Sequence, residues 1–135
     1  MSKPRSSPSP LAGATMVGFL VTTDTNRCRA FYVDKLGFRV VSEDDLALTL
    51  DAVGNPIRIQ KFKKHTPQQF TVLGWNVANL DAVLDELERA GVRGKQYGFP
   101  FQDGRGVASF PGGARVLWLE DPDGNIVSVA QMPEA

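Results

Sequence analysis

The side chains able to do chemistry are few. The chain has one histidine, His65, and one cysteine, Cys28. A two-histidine metal site cannot be built from a single chain. One cysteine rules out an intramolecular disulfide and any multi-cysteine zinc or iron–sulfur centre. His65 sits beside Lys63 and Lys64 in a polar stretch and reads as a solvated surface residue. A Ser–His–Asp arrangement would need it, and no nucleophile elbow is present. Cys28 falls on an apolar helical stripe, where a thiol packs as a small hydrophobe. Glu43-Asp44-Asp45 forms an acidic turn, solvated or recruiting a metal. Asp121-Pro-Asp-Gly-Asn125 has some of the acids of a calcium loop. Its glycine comes too early and Met132 stands where the bidentate glutamate belongs, so a hairpin turn is the better reading. The basic run Arg58, Lys61, Lys63, Lys64 and His65 is short and lacks stacking aromatics beyond Phe62, which argues against nucleic-acid binding. No P-loop or dinucleotide glycine motif occurs, and no residue is assigned a catalytic role.

These residues stand in a chain of 135 residues, 42% apolar and 22% charged, with fifteen basic and fifteen acidic side chains. That composition fits one globular domain and excludes disordered, collagenous and coiled-coil classes. Balanced charge gives no attraction to nucleic acid or membrane surfaces, and no apolar stretch is long enough to span a bilayer. The single cysteine fits a cytoplasmic location. Residues 1–15 carry Ser6, Ser7, Pro8, Ser9 and Pro10 where a signal segment would be apolar, and read as a disordered leader outside the fold.

Two similar units follow. In the first, a strand over 16–22 precedes a helix capped by Asp24 and stopped by Gly37, with Cys28, Phe31, Tyr32 and Leu36 at helical spacing. Strands over 38–42, 46–50 and 57–62 complete it. In the second, a strand over 70–78 precedes a helix capped by Asn79, striped with Leu80, Val83, Leu84, Leu87 and Ala90, and stopped by Gly91. Strands over 108–110, 115–119 and 126–130 follow. Each unit has Gly-Asn before its last strand, at Gly54-Asn55 and Gly124-Asn125. One unit alone exposes a face of a small sheet, so the two must associate. The second is longer, holding Gly94, Gly98, Gly104 and Gly106 among Tyr97, Phe99 and Phe101. That segment reads either as a mobile aromatic lid or as a surface loop pinned by its rings.

Phe31-Tyr-Val-Asp-Lys-Leu-Gly-Phe38 after an Asp-capped helix resembles a signature of the glyoxalase/bleomycin-resistance/extradiol dioxygenase family, the vicinal oxygen chelate superfamily. Asn79-Leu-Asp-Ala82, Ala90-Gly-Val92 and Asp121-Pro-Asp-Gly-Asn125 resemble its second helix and closing hairpin. The likeness covers roughly residues 17–131. It implies an α+β fold of two βαβββ modules, here 16–65 and 70–131, whose curled mixed sheets surround a ligand groove. It also implies a homodimer, grooves of this family often being completed across subunits. Enzymes of the family hold a divalent metal on four strand positions. Carried over one by one, these fall on Val17, Val72, Ser128 and Arg58, or Gln60 if the register slips by two. Valine has no lone pair to give and arginine is a permanent cation, so the resemblance arrives without its metal site.

Strand alternation then fills the implied groove. Arg58, Gln60 and Phe62 share one face of the last strand of the first module. Ser128, Asn76, Trp118 and Glu120 face it from the second, while Trp75 packs into the core. Apolar walls with a few polar groups suit a small molecule. Arg58 has two readings, a clamp for an anionic group or an internal ion pair with Glu120 or another acid. The leading functional expectation is a metal-independent small-molecule binder, without cofactor, resembling drug-sequestering relatives. The alternatives are a glyoxalase-type lyase, isomerase or dioxygenase with a diverged site, and a non-catalytic accessory domain.

Overall fold

The computed structural model describes residues 9–134. Ser9–Thr15 lie outside both sheets and carry a turn closed by Ala12 N–H donating to Ser9 O and Ala14 N–H to Leu11 O. The rest of the leader, 1–8, lies outside the described residues. Two four-stranded mixed sheets follow, in the order β1-β4-β3-β2 and β5-β8-β7-β6. The first module runs β1 (Gly18–Thr22), α1 (Thr25–Arg29), β2 (Arg39–Glu43), β3 (Ala47–Ala52) and β4 (Asn55–Lys61). The second runs β5 (Thr71–Asn76), α2 (Leu80–Arg89), β6 (Val107–Ser109), β7 (Arg115–Glu120) and β8 (Ile126–Gln131). In each, the first strand pairs parallel with the last, and the other pairs are antiparallel. The expected α+β pair of βαβββ modules is therefore present.

Local chemistry sets the helix ends. Asp24 and Asn79 accept the backbone N–H groups of Arg27 and Ala82, satisfying donors a helix start leaves free. Gly37 and Gly91, at φ 78° and 84°, end the helices where a side chain would be strained. One feature departs from the helical spacing: α1 widens into a π-helical turn over Ala30–Lys35. There Leu36 N–H donates to Phe31 O.

One apolar core joins the modules. Leu20, Ile57, Ile59, Leu48 and Leu50 of the first sheet meet Leu117, Leu119, Val127 and Val129 of the second, with Phe31, Tyr32, Leu80, Leu84 and Leu87 from the helices. Trp75 packs on Phe38 with ring centroids 5.4 Å apart, as alternation along β5 required. At the seam the outer strands β1 and β5 lie side by side in separate sheets. A Cβ on Gly18 would sit 3.0 Å from Leu73 Cδ1, so the two strands approach closely there.

The modules are also tied by the 121–125 turn. Asp121, only 5% exposed, accepts from Tyr32 Oη at 2.7 Å, Asn125 Nδ2 at 2.9 Å and the backbone N–H groups of Asp123 and Asn125, both at 2.9 Å. Asp123 accepts from Thr22 Oγ1 at 2.6 Å and Thr23 N–H at 2.8 Å. Asn125 Nδ2 also lies 3.0 Å from Val21 O. His65 is a correction to the solvated reading: half-buried, its Nε2 lies 2.7 Å from Asn125 Oδ1, so the linker is fastened to the same turn. Cys28 is buried as expected, and burial, with Asp121 nearby, pushes its thiol up to about 12.

Burial raises the Asp121 pKa above the usual carboxylate range, against the pull of its hydrogen bonds, Tyr32 first. Relative to the unfolded chain, this group favours folding most below the ordinary carboxylate pKa, and that contribution fades as pH rises through the folded value. Tyr32→Phe removes the hydrogen bond that most favours the ionised form and raises the pKa further. The expected loss is about 1.5–3 kcal/mol at neutral pH. It shrinks as the pH falls through the carboxyl's folded pKa. Urea unfolding of both proteins across pH 4–7 measures it, and a pH-independent difference would refute the assignment.

Candidate functional site

Both helices pack on one side of the two sheets, and the opposite side carries Arg58, Gln60, Trp118 and Ser128. On the first sheet Arg58 is flanked by Phe19 on β1 and Thr49 on β3, with Gln60 two residues along and Phe62 just past the strand. Arg58 is half-buried and makes no ion pair or side-chain hydrogen bond among the described residues. The internal pairing with Glu120 does not occur; Glu120, on the other sheet, pairs with Lys95 Nζ at 2.6 Å. The acid whose charge reaches Arg58 is Asp44, in the turn after β2, and its Oδ1 accepts from the backbone N–H groups of Leu46 and Ala47. Arg58 thus keeps five donors with no acid fixed on them.

On the second sheet Trp118 lies opposite Ser128 in the β7–β8 register, and Gly74 lies on the other side of Ser128. A Cβ on Gly74 would overlap Ser128 Oγ, which places both residues on this face. Around Trp118 the structure gathers a cluster of aromatic rings. Tyr97 meets Trp118 edge-on at 5.3 Å and stacks on Phe99 at 5.4 Å. Phe99 stacks on Phe101 at 5.0 Å, and Phe101 meets Phe110 at 5.4 Å. Lys95 Nζ lies 5.5 Å from the Tyr97 ring centroid. The sequence singled out Trp118 and the loop aromatics separately; their joining, and the place of Phe110 among them, needed the fold. Phe110 had been assigned to a strand, but β6 ends at Ser109.

The 94–106 loop is pinned, resolving its two readings. Gln102 Nε2 donates to Lys95 O at 2.7 Å and Gly106 O at 2.8 Å, and its Oε1 accepts from Tyr97 N–H at 2.9 Å. Arg105 grips α2 through Asp85 at 2.7 Å and Glu88 at 2.8 Å. Gly94 and Gly106 cross at the loop base, where a Cβ on Gly94 would lie 2.5 Å from both Arg105 O and Leu117 Cδ1. Gly94→Ala should therefore displace the loop and cost about 1–3 kcal/mol. Near-UV circular dichroism should report the loss of ring order around Trp118; an unchanged spectrum and melting temperature would show that the crossing is not needed.

Within one chain the seven expected residues are divided between the two sheets. Arg58, Gln60 and Phe62 lie on one sheet and Trp118, Glu120 and Ser128 on the other. Asn76, at the end of β5, lines the cavities at the module junction, one of about 550 Å3 between β1 and β5 and another on the helix side. At the family positions only the Ser128 hydroxyl, or the Gln60 amide if the register slips by two, carries a donor oxygen: Val17 and Val72 line the seam cavity, and Arg58 and Ser128 face away from the core. Among the described residues no three of His, Cys, Asp and Glu group as a metal site. Two valines, a cation and a hydroxyl do not fit a divalent ion.

A search among curated proteins found no match. Solved structures share the fold. A bleomycin resistance determinant encoded on the transposon Tn5 is 20% identical, with TM-score 0.71, over 89% of this chain and 98% of the other. The bleomycin-binding protein of bleomycin-producing Streptomyces verticillus, solved with copper(II)-bleomycin, is 24% identical, with TM-score 0.65, over 89% and 96%. A glyoxalase/bleomycin resistance protein from Catenulispora acidiphila is 19% identical, with TM-score 0.67, over 88% and 98%. The family model described as the Glyoxalase/Bleomycin resistance protein/Dioxygenase superfamily matches residues 13–129, nearly the whole described chain. With the duplicated βαβββ topology beneath that match, the chain belongs to the glyoxalase/bleomycin resistance protein/dioxygenase superfamily.

Proposed function

We propose that this chain binds a small aromatic molecule carrying an anionic or polar group, and that it does so without a metal or other cofactor. The observation that carries the reading is the pairing of two features on the helix-free side: the ring cluster around Trp118 and the free guanidinium of Arg58. Stacking on the rings supplies affinity, and Arg58 orients the anionic group, with Gln60 and Ser128 as neutral hydrogen-bonding groups. Glu120, fixed by Lys95, shapes the rim.

A second copy of the chain completes the groove in this reading. Arg58 and Trp118 lie on separate sheets, and the helix-free side leaves Phe19 56%, Phe62 52% and Phe101 46% exposed. A monomer rarely leaves so many apolar rings in water without a partner. The reading also draws support from the two bleomycin proteins that share the fold. No described helix is long and apolar enough to cross a membrane, and a cytoplasmic location remains part of the proposal.

Bleomycin and a set of aromatic carboxylates are the first probes, by thermal shift and tryptophan fluorescence on untagged protein. Trp118→Ala should weaken a bound probe at least ten-fold, roughly the 1.4 kcal/mol expected from one lost stacking contact. Arg58→Ala should weaken anionic probes by a similar factor, spare neutral ones, and melt near the parent temperature. Unfolding of that variant would make Arg58 structural and sink the site.

Metal content tests the other half. After incubation with nickel, zinc, manganese or iron, the untagged protein should hold no stoichiometric metal by elemental analysis. One ion per groove would return glyoxalase-type or dioxygenase chemistry as the leading reading.

A further inference from the structure

The duplication lets one module junction be read against the other. With the caps Asp24 and Asn79 and the two Gly-Asn pairs aligned, Asp121, Asp123 and Asn125 correspond to Asp51, Val53 and Asn55. Thr22, Cys28 and Tyr32 correspond to Val77, Val83 and Leu87. At the first junction the hairpin tip is hydrogen-bonded into the facing module through Tyr32 and Thr22. At the second, Val53, Val77, Val83 and Leu87 offer no polar group, and Asp51 turns to Arg39 and to its own turn at Gly54 N–H.

What remains there is a cavity of about 380 Å3 on the helix side. Phe38, Val53, Trp75, Val77, Val83 and Leu87 form its walls. No charged side chain lines it. Asn55 and Asn76 stand at its edge. Asn55 Nδ2 is spent on Ala52 O and Val53 O, but its Oδ1 and the whole Asn76 amide have no partner among the described residues. The tip is also held in an unusual state. Val53 has φ 54°, a region a β-branched residue rarely enters, while its side chain is 83% exposed.

We propose that this junction is a second binding site, separate from the helix-free face, for a neutral one- or two-ring aromatic molecule with one hydrogen-bonding group. The volume is at the lower end of small-molecule pockets, about 300–1,000 Å3. Phe38 and Trp75 give ring surfaces, and the free amides give the polar contact. An ionised ligand would lose water with no opposite charge to meet, so neutrality is the selective feature.

The test titrates 15N-labelled protein with 1-naphthol, and separately with 1-naphthoate, at pH 7. Saturable shifts of the Trp75 indole N–H and the Asn55 and Asn76 amides are expected with 1-naphthol, whether or not the Trp118 indole also shifts. Naphthoate should bind there at least ten-fold more weakly. A response confined to Trp118, or none at Trp75, overturns the inference; binding at the helix-free face reads at Trp118, so the two sites fail independently. Val83→Phe fills the cavity and should weaken 1-naphthol at least ten-fold. Val53→Asp, at an exposed position where aspartate tolerates positive φ, should weaken it several-fold if the first variant does not fold. Unchanged affinity in a folded variant overturns the site.

Discussion

A buried carboxylate, Asp121, holds the two modules in register. Its four donors come from Tyr32 in the first module and from its own turn, and the same turn places Asp123 against Thr22 and Thr23. Apolar burial supplies most of the drive to associate, but it is not directional. The hydrogen bonds are directional, and an unmet one inside the core is costly. They fix how far β1 stands from β5, and so the seam where Gly18 meets Leu73. The linker adds to the clamp, since His65 bonds Asn125 and a Cβ on Gly124 would lie 2.7 Å from Pro67 Cγ.

The same duplicated plan has diverged in opposite directions at its two ends. One junction has a polar latch; the other has an apolar cavity and no latch. The helix-free side shows a similar division. The second module carries the rings and a loop fastened by Gln102 and Arg105, while the first carries the free cation. Duplication supplies two copies of each position, and only one copy is needed for rigidity. The other is free to change, and here the changed copies surround open space.

Elements governed by local chemistry were legible in the sequence. Asp24 and Asn79 cap their helices, Gly37 and Gly91 end them, and Trp75 faces the core while Trp118 faces away, because capping and alternation act within a few residues. Features set by partners distant in the chain were not. Nothing near His65 announces Asn125, sixty residues away. The π-helical turn over Ala30–Lys35 has no signal in the spacing. The pairing of Lys95 with Glu120 is a contact between loop and strand that no periodicity encodes. The ring cluster was visible as composition but not as geometry, since Phe110 joins it only after a turn.

Arg58 bears on the metal question beyond its failure to donate. A guanidinium at a position where relatives place a ligand repels a divalent ion, by several kcal/mol at contact even with strong screening. Two valines at the partner positions remove the oxygen and nitrogen atoms that would offset this. Under the proposed reading the same residues suit an organic anion, the cation attracting its charge and the rings burying its apolar part. In that reading, residues that offer a metal little offer an organic anion more, and specificity arises as a difference of affinities.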